Sequence, residues 1–197
     1  KVRALSRDER SLLVSFVNND GVTDKNGSNG DIDGYGWGFY GTDLPEANTV
    51  FSSMDDNTKF IFPDKRILMQ NNIECVGQEI DLAPDKYSNI HFLAVAHNGN
   101  FQDELQIIYD DGIIEIKDFK LGDWWNEPLF GKAALKARCV NKGQIQDHIV
   151  YMAHLKITLD PQKNIHAIKL PLSDNMHIFG ITLERVSGKI GEEPAVS

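Results

Sequence analysis

Several residue patterns that mark common protein classes are missing from this sequence of 197 residues. No window approaches the ~18 consecutive apolar residues that a membrane-spanning helix requires. No Lys/Arg run interrupts an acidic composition, in which 29 Asp and Glu residues outnumber 20 Lys and Arg residues and the formal net charge is −9. Because this charge repels phosphate backbones, the sequence predicts neither membrane insertion nor a nucleic-acid partner.

Cysteine is scarce, since Cys75 and Cys139 are the two in the chain. Two cysteines are too few for a disulfide framework or for a metal site built from several thiolates. They permit either one disulfide or two buried thiols that pack as small apolar side chains. The sequence leaves both alternatives open.

Familiar catalytic motifs are absent as well. The sequence contains no HExxH metal motif, no GxSxG nucleophile elbow and no phosphate-binding P-loop. Its six histidines are scattered, and four of them fall inside strand-like runs at no shared metal-ligand spacing: His91, His154, His166 and His177. We interpret these four as structural residues and predict no catalytic residue.

The apolar residues follow the period of β-strands. The candidate strands are residues 11–16, 60–62, 78–82, 90–96, 104–109, 113–119, 149–157, 165–170 and 177–183. Asp110-Asp111-Gly112 separates two of these runs and predicts a β-hairpin with an Asp-Gly turn. Helical patterning is limited to residues 130–136, a length that suffices for one turn.

Short strands separated by turns about every 8–12 residues predict an all-β fold, a two-sheet antiparallel β-sandwich of the jelly-roll type. We expect residues 1–186 to form a single domain. The polar residues 187–197 are expected to form a tail or linker.

The segment from residue 18 to residue 45 is rich in Gly, Asn and Asp and has no strand pattern. Ca²⁺ prefers carboxylate ligands, and four aspartates of this segment are spaced densely enough to supply them: Asp20, Asp24, Asp31 and Asp33. Their spacing is not that of an EF-hand loop, because Asn29 stands where the turn glycine belongs. Two interpretations stay open, a structural calcium site or turn formers whose side chains bond their own backbone.

Aromatic residues accompany the turn residues at two places. Trp37 and Tyr40 lie in the segment YGWGFYG, and Trp124 and Trp125 directly follow Gly122-Asp123. Tryptophan and tyrosine offer flat apolar faces with a polar handle, which suits stacking on sugar rings, but they are equally suited to a core. We predict that one residue of the pair Trp124/Trp125 belongs to the core and that the other is partly exposed.

The order of five segments resembles a known type of module. The segments are FVNNDGVTD…GDIDGYGWGFYGTDLP, NNIECVGQEIDL, YSNIHFLAVAHNGN, LQIIYDDGIIEIKDFKLGDWW and LDPQKNIHAIKLPLSDNMHIFGITLE. In this order, across roughly residues 12–186, they resemble the galactose-binding-like jelly-roll modules attached to secreted bacterial glycoside hydrolases and related cell-surface proteins.

The resemblance implies a non-catalytic carbohydrate-binding or accessory module that works outside the cytoplasm, secreted or at the cell surface, beside an attached glycoside hydrolase. It also implies a structural calcium ion near the N-terminal strand region and a glycan site on loops at one end of the sandwich. The candidate glycan ligands are Trp37, Tyr40, His97, Asn98, Trp124 and Trp125. In one departure from the expected pattern, Trp37 and Phe39 stand where small or hydroxylated residues are expected after the glycines.

Two other functions remain open at this stage. One is a structural or protein-interaction domain without a sugar site. The other is a glycan-active hydrolase or lyase that uses a carboxylate pair such as Asp31 with Asp33 or Asp103 with Glu104. Neighbours on a regular strand point to opposite faces, so Asp103 and Glu104 cannot face one cleft if they lie in a strand.

Overall fold

The computed structural model describes residues 2–4, 15–24, 26, 29–66 and 70–186. Within these ranges the chain forms twelve strands and one short 3₁₀ turn, Gly41–Asp43. The strands are β1 (Val2–Ala4), β2 (Trp37–Phe39), β3 (Val50–Ser52), β4 (Lys59–Ile61), β5 (Ile73–Val76), β6 (Glu79–Ala96), β7 (Phe101–Tyr109), β8 (Ile114–Leu121), β9 (Lys132–Asn141), β10 (Gln144–Thr158), β11 (Asn164–Lys169) and β12 (Leu172–Arg185). No helix long and apolar enough to cross a membrane occurs among the described residues. The predicted all-β class is confirmed.

The strands form two antiparallel layers that share the long strand β6. In the first layer β2, β9, β10, β6 and β12 lie side by side, and β1 and β5 pair with different parts of β12. In the second layer the first half of β6 pairs with β11, followed by β7 and β8. The short strands β3 and β4 form a separate hairpin.

The first layer is buried on both faces, because successive residues of β6 enter two different cores. Phe92 and Ala94 belong to the cluster between the two layers, and Leu93 and Val95 belong to the cluster on the opposite face. The loop residues near Val22 and the β3–β4 hairpin cover that opposite face. A strand buried on both faces reads as a continuous apolar run, which is how residues 90–96 read in the sequence.

The hairpin predicted at Asp110-Asp111-Gly112 is present. Gly112 adopts a φ of 79° and donates its backbone N–H to the carbonyl oxygen of Tyr109 at 2.9 Å. The strand predicted at residues 11–16 does not include residues 15 and 16, which lie in a turn. Residues 11–14 are outside the described residues. The predicted tail at 187–197 also lies outside the described residues.

The helical turn considered at residues 130–136 is wrong, because β9 begins at residue 132. Ala133 pairs with Ala153 and Leu135 pairs with Met152, which leaves Ala134 as the extra residue of a β-bulge. The bulge shifts the alternation of buried and exposed side chains along β9. Ala134 and Ala137 are therefore both buried at a spacing of three, which mimics helical periodicity.

The two cysteines are buried free thiols. Cys75 belongs to the core between the two layers, whereas Cys139 belongs to the core on the other face of the first layer. Burial raises the pKa of both thiols, above all that of Cys75. Of the two alternatives from the sequence, the structure contains the two buried thiols.

Candidate functional site

A shallow depression of about 280 Å³ lies where β6 and β8 end and β2 begins. Its lining residues are Asp33, Trp37, Asn98, Asp123, Trp124 and Trp125. Four of the six predicted glycan ligands are thus brought together from three separate segments of the chain. Asp33 and Asp123 join them, and neither was among the predicted glycan ligands.

Asp33 is held at the rim by the backbone that follows it. Its Oδ1 atom accepts hydrogen bonds from the backbone N–H groups of Tyr35 at 2.9 Å and Trp37 at 3.3 Å. Burial raises the pKa of Asp33, and the adjacent carboxyl of Asp31 raises it further, although the two backbone bonds oppose the rise. Because of its bond to the backbone of Trp37, the carboxyl group of Asp33 lies directly beside the first residue of β2.

Asp123 ties together the two loops that follow β6 and β8. Its Oδ2 atom accepts the backbone N–H of Gly99 at 2.6 Å, and its Oδ1 atom accepts that of Trp125 at 2.9 Å. The backbone N–H of Asp123 donates in turn to Oδ1 of Asn100 at 2.9 Å. Because these bonds fix both loops to one carboxylate, Asn98 and Trp125 are held in place before any ligand arrives.

The two adjacent tryptophans play different parts. Trp124 is buried and packs against Phe39 at a ring-centroid distance of 4.8 Å. Trp125 is half-buried, lies edge-on to Trp37 at 5.0 Å and has the imidazole of His148 stacked on its ring at 4.0 Å. The prediction of one core residue and one partly exposed residue is confirmed.

Tyr40 and His97 do not line the depression. The guanidinium group of Arg138 lies 5.0 Å from the centroid of the Tyr40 ring and is also bonded to Asp43. His97 is buried, with its ring centroid 5.0 Å from that of His177. Both residues are close in sequence to residues that line the depression, but their side chains contact Arg138 and His177 instead.

The four aspartates considered as calcium ligands lie in a network of amide groups. Asp20 accepts hydrogen bonds from Nδ2 of Asn71 at 2.7 Å and from Nδ2 of Asn29 at 2.6 Å. The amide oxygen of Asn29 accepts the backbone N–H of Asp24 at 2.7 Å, which fixes the orientation of that side chain. Burial raises the pKa of Asp20, and these amide donors counteract the rise.

Amide N–H groups repel a cation, so two of them directed at Asp20 fit a calcium ion poorly. The side chains of Asp31 and Asp33 are bonded to the backbone that follows them, since Oδ1 of Asp31 accepts the N–H of Gly36 at 2.9 Å and Oδ1 of Asp33 accepts that of Tyr35. These contacts favour the turn-forming interpretation. The calcium interpretation stays a prediction that needs its own experiment.

A second cluster of ionisable groups lies where the β3–β4 turn packs on the first layer. His154 places Nδ1 2.8 Å from Oδ2 of Asp55 and 3.6 Å from Oδ1 of Asp56, and places Nε2 2.8 Å from Nδ1 of His91. Nε2 of His91 lies 3.0 Å from Oε2 of Glu184. The result is a continuous chain of carboxylate, two imidazoles and carboxylate.

Burial and hydrogen bonding in this cluster shift the pKa values of His91 and Glu184. Burial lowers the pKa of His91, while Glu184 opposes the shift. The pKa of Glu184 is itself lowered, because hydrogen bonds from His91 and Asn89 outweigh the effect of burial. Sequence reasoning missed this cluster, since its members are far apart in the chain and only the pairing of β6 with β10 and β12 brings the two histidines and Glu184 together.

The sequence was compared with curated proteins and with models of protein families. The chain matches no curated protein significantly. Residues 9–187 match the family model of the AziU2-like beta-sandwich domain, which covers most of the chain and agrees with the layered all-β architecture. The chain therefore belongs to the AziU2-like beta-sandwich domain family.

Proposed function

We propose that this domain is a non-catalytic carbohydrate-binding module, secreted or at the cell surface, which holds an attached enzyme such as a glycoside hydrolase near its glycan. One observation carries the proposal. The half-buried rings of Trp37 and Trp125 adjoin Asp33, Asp123 and Asn98 in one shallow depression at an end of the sandwich. The resemblance of the sequence to galactose-binding-like modules points to the same end of the fold.

The chemistry of the lining suits a sugar. Indole rings stack on the apolar face of a pyranose, and carboxylate and amide groups at the rim bond its hydroxyl groups. His148 occupies one face of Trp125, so a sugar has to use the other face of that ring or the ring of Trp37. The depression is shallow, so we expect weak binding at each site and an effect that depends on avidity or on local concentration.

Carboxylate positions argue against the hydrolase alternative. Asp103 and Glu104 are consecutive residues of β7, so their side chains leave opposite faces of the strand. Asp31 lies near enough to raise the pKa of Asp33, and both carboxylates are taken up by backbone N–H groups of the turn that follows them. Neither pair suits attack on a glycosidic bond.

The proposal is tested by affinity electrophoresis in gels containing soluble polysaccharides, followed by a glycan array. We expect retardation by at least one polysaccharide. The substitution Trp125→Ala should weaken binding about tenfold, because it removes a stacking surface. Leu172→Ala is the matched control, since it removes a large side chain that is 78% exposed and lies outside the depression.

Two results would contradict the proposal. The first is the absence of binding to every glycan tested. The second is binding that Trp125→Ala leaves unchanged. Either result favours the alternative of a structural or protein-interaction domain.

A further inference from the structure

The turn between β3 and β4 presents two carboxylates to one buried imidazole nitrogen. The turn is held by its own backbone, because Ser53 donates its N–H to the carbonyl oxygen of Thr58 at 2.8 Å and Asn57 donates to that of Ser53 at 3.2 Å. Its aspartates at positions 55 and 56 therefore sit at defined places above β10, where His154 lies.

The separations of the three groups suit a small divalent cation. Nδ1 of His154 lies 2.8 Å from the nearer oxygen of Asp55 and 3.6 Å from the nearer oxygen of Asp56. One ligand atom from each residue falls within 4.8 Å of the other two. Ligands bonded to Zn²⁺ at about 2.0–2.2 Å are themselves roughly 3.3–3.6 Å apart, so small side-chain rotations suffice to place an ion between them.

Each of the three candidate ligands has a partner that orients it. Asp55 accepts a hydrogen bond from the hydroxyl of Ser53, and Asp56 accepts the backbone N–H of Thr58 at 2.9 Å. His154 contacts His91, which contacts Glu184. Outer partners of this kind, and a carboxylate behind a histidine above all, are a regular feature of protein metal sites.

The relay behind His154 is compatible with the tautomer that a metal ion requires. If Nε2 of His91 donates to Glu184, its Nδ1 is free to accept a hydrogen bond from Nε2 of His154. Nδ1 of His154, the nitrogen that faces the two aspartates, then carries a lone pair that can bind a metal ion. Two neutral imidazoles thus satisfy every contact in the chain when a cation lies between that nitrogen and the two aspartates.

Solvent reaches the cluster from the aspartate side. The side chain of His154 is 2% exposed, that of Asp55 17% and that of Asp56 47%. An ion can therefore enter past Asp56 and meet the buried nitrogen last.

We propose that Asp55, Asp56 and His154 bind a divalent first-row transition-metal ion, with Zn²⁺ as the best fit. The imidazole nitrogen in the set favours such an ion over Ca²⁺ or Mg²⁺, which prefer oxygen ligands alone. Three protein ligands leave at least one coordination position for water or for a ligand group. This site shares no residue with the proposed glycan depression, so the two proposals can be tested independently of each other.

The test is isothermal titration of the untagged full chain with Zn²⁺ after treatment with a chelator. We expect one equivalent to bind, and Asp56→Asn to weaken binding at least tenfold, because it removes an anionic ligand from an exposed position. Asp118→Asn is the matched control, since it removes the same charge from a side chain that is 67% exposed in β8. It should bind Zn²⁺ like the unchanged chain.

A second measurement tests the buried ligand, His154. With Co²⁺ in place of Zn²⁺, we expect visible absorption bands that His154→Asn abolishes and that His166→Asn, a change at an exposed histidine beside Asp110, preserves. Thermal unfolding without metal establishes that each variant is folded, and if His154→Asn is not, the Asp56→Asn titration decides alone. Saturable binding that is absent, or that Asp56→Asn leaves unchanged, overturns the proposal.

Discussion

His177 shows at the scale of one residue how burial sets the charge of a side chain. It is fully buried in β12, and its Nδ1–H donates to Oδ1 of Asn72 at 2.7 Å. Among the described residues, no group forms a hydrogen bond with its Nε2 atom. Burial lowers the pKa of His177 to about 3, and the neighbouring His97 contributes to the shift. The protein therefore folds with a neutral imidazole at this position.

This pKa predicts that the protein loses stability on mild acidification. Between pH 6.5 and about pH 3 the unfolded chain binds a proton at His177 that the folded chain does not, so the free energy of unfolding falls as the pH falls through this window. From pH 7 to pH 5 this histidine should account for a loss of about 2 kcal/mol. Urea unfolding at both pH values measures the loss.

The variant His177→Gln isolates this contribution. It should be less stable at pH 7, because it disturbs a buried contact, but its stability should depend less on pH than that of the unchanged chain. Part of the dependence should remain, since burial also lowers the pKa of His91. The exposed His166→Asn variant is the control. An equal pH dependence in His177→Gln and in the unchanged chain would contradict the assignment.

At the scale of elements, the Gly/Asn/Asp-rich loop is fastened closely to the end of β2. Thr23 donates its backbone N–H to the carbonyl oxygen of Phe39 at 2.8 Å, and Gly41 donates to Oγ1 of Thr23 at 3.1 Å. A β-carbon added to Gly41 would lie 2.0 Å from the carbonyl oxygen of Thr23. Only glycine allows the two segments to approach this closely.

Substitution of this glycine should therefore destabilise the fold. We expect Gly41→Ala to lower the free energy of unfolding by about 2–3 kcal/mol, because one of the two backbones has to move. Chemical denaturation measures the change. Gly180→Ala in β12 is the control, since its added β-carbon would meet its nearest neighbour at 3.6 Å, an ordinary contact distance. A similar stability for both variants would show that the loop adjusts freely.

Strand boundaries show what sequence patterns capture at this scale. The strands predicted at residues 78–82 and 90–96 fall, except for residue 78, within one strand, β6. Pro84 lies between the two predicted strands, and proline lacks the N–H group that a sheet needs. In the structure Pro84 lies between the paired residues Asp81 and Asp85, where the register with β11 shifts. The pairing skips the proline, so the strand continues past it.

At the scale of the whole molecule, the calcium prediction concerns total stability. An ion that binds only the folded chain raises the melting temperature, by several degrees at concentrations well above its dissociation constant. Because amide donors already surround Asp20, we expect thermal melts in a calcium chelator and in excess Ca²⁺ to coincide. A melting temperature several degrees higher in Ca²⁺ would establish the structural ion. Asp31→Asn would then test whether the loop holds it.

The candidate site was only partly predictable at this scale. The resemblance assigned Trp37, Asn98, Trp124 and Trp125 to loops at one end of the sandwich, and the structure does bring these four side chains together. Tyr40 and His97 are their close neighbours in sequence, yet they contact Arg138 and His177 instead. Position along the chain places a residue near an end of the sheet, but local backbone geometry decides the direction of its side chain.

The sequence by itself determined the all-β class, the principal strands, the Asp-Gly hairpin and the presence of one buried and one partly exposed residue in the pair Trp124/Trp125. These features rest on alternation, turn chemistry and burial preference, all of which act between near neighbours in the chain. Only the tertiary structure decided the free state of the cysteines, the bulge in β9 and the meeting of Asp55, His154, His91 and Glu184. Those outcomes depend on strand register and layer order, which are set by contacts between residues distant in the sequence.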